Sequence, residues 1–85
     1  MKYFAAYLKM EKPELNQQYR QAHLDFLADL DEKGFIFARG AFADGAGGLV
    51  IYQAEDEAEA KTLAEKDPYF VHGVRSLDLH EWDKK

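Results

Sequence analysis

Apolar and polar residues alternate along this chain with two different periods, and the periods predict strands and helices in a simple order. Residues 2–9 form an aromatic and aliphatic run without the charge pattern of a helix, so they are predicted to form the first strand. From Pro13 onward, apolar side chains recur every three or four residues, which predicts an amphipathic helix of about five turns. Gly34 is expected to end this helix, from the position where glycine is commonly found.

The second half of the chain predicts a hairpin, a short helix and a last strand. The strands are expected at residues 35–42, 49–54 and 74–82. The glycine-rich segment 44–48 is expected to be the flexible turn of the hairpin. Asp56 followed by Glu59 resembles a capping box, so a helix should begin there, and Pro68 should stop it. The predicted order is therefore βαββαβ.

This order is that of an α+β ferredoxin-like sandwich, in which both helices cover one face of a four-stranded antiparallel sheet with strand order 4-1-3-2. The first and third strands are then central, and both carry apolar residues at odd and at even positions. Such strands favour cover on both faces, whereas two helices cover only one. We therefore expect a homodimer in which the sheets close against each other. The alternative is a solvated apolar face, although large exposed apolar patches are uncommon on monomers.

Composition and charge exclude several classes of protein. At 85 residues the chain is expected to be one domain, small enough that a partner chain would add stability. Its hydrophobic fraction of 47% is too high for a disordered chain, and no run approaches the ~20 apolar residues of a membrane helix. The first residues lack the pattern of a signal peptide, so a cytoplasmic location is expected. The absence of cysteine excludes disulfides, and the net charge of −5 argues against a nucleic-acid partner.

The predicted topology brings several reactive side chains to one end of the domain. The second helix should run antiparallel to the first, so Asp67 and Tyr69 should return to the half of the first helix that carries Arg20 and His23. The end of the first strand, with Tyr7, should lie at the same end. We expect a cleft there with His23 and Asp67 as catalytic residues. Arg20, Tyr7 and Tyr69 are the candidates for substrate binding.

In this hypothesis Asp67 accepts a hydrogen bond from one ring nitrogen of His23 and leaves the other nitrogen to transfer a proton. Arg20 would hold an anionic group or a developing enolate. Each residue also has a structural interpretation. His23 is then a hydrogen-bonded core histidine, Asp67 a turn residue at a helix end and Arg20 a solvated cation. For Tyr7, the core or the dimer interface is the alternative to ligand contact.

Metal and phosphate chemistry find little support in the sequence. His72, Asp78 and His80 lack the tight spacing of metal ligands, so no metal site is expected. The glycine-rich segment 45–48 lacks the Lys-Ser/Thr ending of a phosphate-binding loop and is interpreted as a hairpin turn. No cofactor is expected.

Short motifs spread over nearly the whole chain match those of a known family in order and spacing. They are Arg20-x-x-His23-Leu24, Gly40 after the second strand, Asp67-Pro68-Tyr69, Gly73 and the closing strand to Trp82. In these features the chain resembles the YCII-related (YciI-like) family. The resemblance implies a ferredoxin-like chain dimerised into an α+β barrel, with a His/Asp site that carries over to His23 and Asp67. Family members often have proline after the glycine of strand 2, where this chain has Ala41, so the rim of the site is expected to differ.

Together the residues and the resemblance favour a cofactor-independent acid/base enzyme acting on a small anionic or aromatic-derived molecule, of the lyase, isomerase or dehalogenase type. The alternative is a non-catalytic dimeric module that binds a small ligand or a partner. A third hypothesis is a cofactor-free monooxygenase, which requires an easily oxidised substrate and O₂. Replacement of His23 separates the first two, because only an enzyme would lose turnover without losing its fold.

Overall fold

Four antiparallel strands and three helices make up the fold in the computed structural model, which describes residues 1–85. The strands are β1 (Lys2–Met10), β2 (Ile36–Ala41), β3 (Gly47–Ala54) and β4 (Arg75–Trp82). The helices are α1 (Pro13–Glu32), α2 (Glu57–Ala64) and α3 (Pro68–Val71). The sheet order is β2-β3-β1-β4, and every neighbouring pair is antiparallel. The predicted α+β class and the predicted order 4-1-3-2 are thus confirmed.

The core lies between the helices and one face of the sheet, here called the inner face. Along β1, the buried residues Phe4, Ala6 and Leu8 alternate with partly exposed ones, because successive side chains of a strand point to opposite faces. The remaining core residues come from both longer helices, the first residue of β2, and β3: Leu27, Leu30, Ile36, Val50, Tyr52, Ala54, Ala60 and Ala64. The alanines of α2 allow that helix to pack closely on the sheet.

Helix α1 begins and ends where the sequence predicts. Pro13 occupies its first turn, where a missing N–H is not needed. At the other end, Gly34 has a φ of 85°. The backbone N–H of Phe35 donates to the carbonyl of Leu30, and that of Gly34 donates to Asp31. These two bonds form a Schellman motif, which satisfies the last carbonyls of the helix and turns the chain into β2.

The sequence predicted that Pro68 stops the second helix, whereas the structure places Pro68 at the start of a third helix. Helix α2 ends at Ala64, and Pro68 opens a separate one-turn helix, α3. Asp67 is the N-cap of α3: its backbone is extended, as is common before proline, and its side chain accepts from the N–H of Tyr69 at 2.9 Å. This cap changes the role of Asp67 from the end of one helix to the start of another.

The glycines of the hairpin are also more constrained than a flexible turn. Strand β3 begins at Gly47, two positions before the predicted start. Gly47 has a φ of 135°, and a Cβ there would lie 2.0 Å from the carbonyl oxygen of Leu8. The turn itself is shorter, with Gly45 at a φ of 80° and the Asp44 side chain accepting from the N–H of Ala46.

A β-bulge in β2 changes which residues face the helices. The pairing with β3 shifts between Ile36 and Ala38, so Arg39 pairs with Val50. Directly opposed residues share a face of the sheet. The bulge therefore turns Arg39 to the inner face, and Phe37 remains exposed on the other side.

Aromatic side chains dominate the opposite face of the sheet, here called the outer face. Tyr3 packs edge-on against Phe37 and Trp82, and Tyr7 packs edge-on against Phe42. Phe37, Phe42 and Trp82 are 46%, 38% and 42% exposed in this chain. Such a patch is large for the surface of a small monomer. None of the helices has the length and apolar character needed to cross a membrane.

Candidate functional site

His23 and Asp67, 44 positions apart in the sequence, meet in a buried hydrogen bond. Nδ1 of His23 lies 2.8 Å from one carboxylate oxygen of Asp67 and 2.9 Å from the other. Asp67 is completely buried, and His23 is 8% exposed. Because an ionised carboxylate only accepts hydrogen bonds, Nδ1 of His23 must carry the proton. Nε2 is then the ring nitrogen with a free lone pair, which is the form that accepts a proton from another molecule.

Two elements position this pair. His23 sits midway along α1, on the face that packs towards α3 and the sheet. Asp67 is held by its capping role, because its Oδ1 accepts both from His23 and from the backbone N–H of Tyr69. The carboxylate is thus oriented by backbone geometry, and it in turn orients the imidazole.

Tyr69 links the pair to the rest of the site. Its ring stacks on the His23 ring with the centroids 4.1 Å apart, and its hydroxyl donates to the backbone carbonyl of Asn16 at 3.3 Å. Burial raises the pKa of Tyr69 above its usual value, while the charges of Arg75 and Arg20 act in the opposite direction. The phenol therefore stays protonated and serves as a flat, rigid wall.

Arg75, the first residue of β4, lies on the other side of this aromatic wall. Its guanidinium carbon is 4.2 Å from the centroid of the Tyr69 ring, within the range of a cation–π interaction. Nη2 donates to the side-chain oxygen of Asn16 at 2.9 Å, while the buried Nε has no hydrogen-bond partner. The side chain is only 7% exposed, and burial lowers its pKa.

Gly48 makes room for Arg75. A Cβ at position 48 would lie 3.0 Å from Nη1 of Arg75 and 3.0 Å from the carbonyl oxygen of Gly40. These distances are shorter than ordinary van der Waals contacts. The absence of a side chain in β3 therefore lets the guanidinium lie close to the sheet backbone.

These residues surround a cavity of about 440 Å³ between α1, the inner face of the sheet and α3. Its size is in the range of small-molecule sites. The polar wall is formed by Asn16, Arg20, His23, Arg39, Tyr69 and Arg75. The apolar wall is formed by Leu8, Leu24, Leu27 and Val50. Gly40, Ala41, Gly48 and Leu49 complete the lining, although Leu49 shares the outward parity of Tyr7. Asp67 does not line the cavity, because it lies behind His23.

Three of the five residues singled out from the sequence line this cavity: Arg20, His23 and Tyr69. Asp67 supports the site from behind. Tyr7 lies elsewhere: it pairs with Leu49 and Asp78, and its ring packs on the outer face of the sheet. Tyr7 is therefore not among the residues that line this cavity.

The sequence analysis missed Asn16, Arg39 and Arg75. One signal was present for Asn16, since positions 16, 20 and 23 follow the spacing of one helical face. A signal was also present for Arg75, which shares the strand parity of the inward residues Leu77 and Leu79. Arg39 had none, because the bulge that turns it inward leaves no mark in the hydrophobic pattern.

Comparison with known proteins identifies a family and a fold for this chain. The family model described as the YCII-related domain matches residues 1–83. Among solved structures, 5-chloro-2-hydroxyhydroquinone dehydrochlorinase from Burkholderia phenoliruptrix AC1100, in complex with 2,5-dihydroxybenzoquinone, superposes with a TM-score of 0.82. The alignment covers 98% of this chain and 95% of that chain at 23% sequence identity. A search of the curated proteins found no match. At this identity the structural likeness establishes the fold.

Proposed function

This chain belongs to the YCII-related domain family, and within it we propose that the protein is a cofactor-independent acid/base enzyme for a small anionic or aromatic-derived molecule. The proposal rests on one observation above all. A buried carboxylate holds Nδ1 of His23 in its protonated form, in the wall of a cavity that three guanidinium groups also line. Such a histidine is oriented to accept a proton at Nε2.

The proposed reaction begins with proton transfer from the substrate to Nε2 of His23. The electron pair left behind moves towards an adjacent carbonyl or ring oxygen, whose negative charge is stabilised by a neighbouring guanidinium. In an elimination, the bond to a leaving group such as chloride then breaks and the leaving group departs with the electron pair. In an isomerisation, the imidazolium returns the proton to a different carbon. Asp67 stabilises the imidazolium in both cases, and general acid/base catalysis of this kind contributes about 10²–10⁴ in rate.

The structural neighbour supports this class of reaction. Its name describes removal of chloride and a proton from a hydroxylated ring, and it was solved with a flat, oxygen-rich ring compound. The cavity of this chain has the volume for one substituted ring and places an apolar wall opposite a polar one. A chlorinated hydroxyhydroquinone is therefore the first substrate to test.

The test compares His23→Gln with His72→Gln, which removes an exposed imidazole that does not line the cavity and lies outside the sheet. Chloride release from chlorinated hydroxyhydroquinones and deuterium uptake by small keto and lactone acids in D₂O are the readouts. We expect the wild type and His72→Gln to be active and His23→Gln to lose at least about 100-fold in kcat. Equal activity of the two variants would place the chemistry elsewhere. Ligand binding without turnover by the wild type would favour the non-catalytic binding module.

We also propose that the outer face closes against a second copy of the chain, which gives a homodimer. The exposed aromatic rings on this face supply the apolar surface that such an interface needs. Phe37→Glu should shift the protein to monomers in sedimentation equilibrium, because it places a charge within the buried patch. Val71→Glu is the control, since Val71 is 60% exposed on α3, away from the sheet. A wild type that sediments as a monomer at all concentrations would overturn the homodimer.

A further inference from the structure

All three arginines of the chain line the same cavity, whereas none of its lysines does. No aspartate or glutamate lines it either, although acidic residues outnumber basic ones by sixteen to eleven in the whole chain. The cavity is thus a concentration of positive charge in an acidic protein. Guanidinium groups, unlike ammonium groups, present a planar fork of donors that matches the oxygens of a carboxylate or a similar oxyanion.

Arg75 is the only buried arginine of the three. Only 7% of its surface is exposed, yet no carboxylate lies within salt-bridge distance of it. Its neighbours are the neutral amide of Asn16 and the ring of Tyr69, and its Nε has no hydrogen-bond partner. A buried cation without a counter-charge in contact is costly, because the more distant charge of Asp67 offsets only part of the desolvation. An anion in the cavity would supply the opposite charge.

The other two arginines differ in how far they are already neutralised. Nε of Arg39 lies 3.4 Å from a carboxylate oxygen of Asp31, so part of its charge is offset. Arg20 has no hydrogen bond or ion pair, and it is exposed at the cavity mouth. Its charge and that of Arg75 both act on the Tyr69 hydroxyl, so the two fields overlap across the cavity.

We propose that this cavity binds a small planar dianion, with one oxyanion group at Arg75 and the second at Arg20. The flat body of the molecule lies between these two groups, against the leucine wall and beside His23. This inference deepens the proposed function and rests on it for the presence of a reacting ligand next to Nε2 of His23. It names the substrate class as planar organic compounds that carry two oxygen groups able to bear negative charge, to which a chlorinated hydroxyhydroquinone belongs through its phenol oxygens.

The test is isothermal titration calorimetry at pH 7 with three probes that share one ring: benzamide, benzoate and benzene-1,3-dicarboxylate. We expect each added charge to improve the affinity at least about tenfold, since a charge-assisted hydrogen bond contributes roughly that much. Arg75→Lys should weaken benzoate about tenfold by removing the planar fork. Arg20→Gln should weaken the dicarboxylate more than benzoate, because only the dianion reaches the mouth. Lys61→Gln is the control, since it removes one exposed positive charge from α2, outside the cavity.

Equal affinities for the three probes would overturn the proposal. So would variants of Arg20 and Arg75 that bind the dicarboxylate as tightly as Lys61→Gln does. Arg20 is exposed, so its replacement remains informative if a change at buried Arg75 disturbs folding. His23→Gln separates this inference from the proposed function: it should bind the dicarboxylate within about threefold of the wild type while it loses turnover. Binding without turnover by the wild type would count against the enzyme alone, and turnover without a preference for anions would count against the dianion alone.

Discussion

Removal of the Asp67 carboxylate is the sharpest test of how the site is built, because stability and chemistry should respond differently to two substitutions. Asp67 accepts from Nδ1 of His23 and from the backbone N–H of Tyr69, both in the interior. Asp67→Ala removes the acceptor of both donors. Asp67→Asn keeps one oxygen and replaces the other by an amide nitrogen, which donates.

The magnitudes follow from these contacts. A buried donor left without a partner costs about 1–3 kcal/mol, and loss of a helix cap costs about 1 kcal/mol. The Tyr69 N–H is counted both as a buried donor and as the capped group. The combined effect of Asp67→Ala should therefore be to lower the free energy of unfolding by about 3 kcal/mol. Asparagine caps helices about as well as aspartate, so Asp67→Asn should cost only about 1 kcal/mol.

Asp67→Asn should instead change the protonation of His23. If the amide oxygen takes the position of Oδ1 and caps Tyr69, the amide nitrogen takes that of Oδ2, 2.9 Å from Nδ1 of His23. Two N–H groups repel each other at that distance, so the tautomer in which Nδ1 accepts from the amide is favoured. The proton moves to Nε2, and the ring can no longer take a proton from a substrate at that atom. A comparable change of tautomer in a serine protease triad lowers kcat about 10⁴-fold.

Urea unfolding at one protein concentration measures the first effect, and ¹⁵N NMR of the imidazole at a pH where it is neutral measures the second. The control is Asp29→Ala, because Asp29 pairs with Lys33 at a similar distance of 3.0 Å but on the exposed surface of α1. That change should cost less than about 1 kcal/mol. The reasoning fails if Asp67→Ala is no more destabilising than Asp29→Ala, or if wild-type His23 carries its proton on Nε2.

Three further predictions concern the scaffold. Gly47→Ala should cost at least about 3 kcal/mol in urea unfolding, since its Cβ would overlap the carbonyl of Leu8, whereas Gly45→Ala has open space and should cost about 1–2 kcal/mol for its positive φ. Burial, with a smaller contribution from nearby negative charge, raises the pKa of Tyr52 above its usual 10.0. The folded state therefore retains a proton that the unfolded chain loses, so the contribution of Tyr52 to stability should be constant below pH 10.0 and fall above it. Tyr52→Phe should remove that part of the slope in urea unfolding. Asp56→Ala should lower the thermal midpoint by the equivalent of about 1 kcal/mol, because it removes the cap of α2, and a midpoint equal to that of the wild type would contradict this role.

Much of the fold was accessible from hydrophobic periodicity. The three- and four-residue spacing after Pro13 and the glycine at position 34 defined α1 to its ends. The handedness of the crossovers then left one sheet order, and the antiparallel run of the helices brought His23 towards Asp67. These predictions succeeded because they depend on local spacing and on a strong topological preference.

Only part of the candidate site could be predicted from the sequence. Tyr7 was a candidate because β1 is apolar at odd and even positions, so its pattern cannot tell which set faces the helices. Arg75 was overlooked because a charged residue at a strand start normally indicates solvent. Pro68 was interpreted as a stop signal, whereas the same residue type also starts helices, and only its neighbours in space distinguish the two uses.

By itself the sequence determined the number, type and order of the main elements and the meeting of one imidazole with one carboxylate. Only the tertiary structure decided which face of each strand is covered, and it thereby placed Arg39 and Arg75 in the cavity and Tyr7 outside it. The physical reason is the period of a strand. A single extra residue, such as the bulge after Ile36, moves every later side chain to the opposite face, and the contacts that favour this shift lie on other strands and helices.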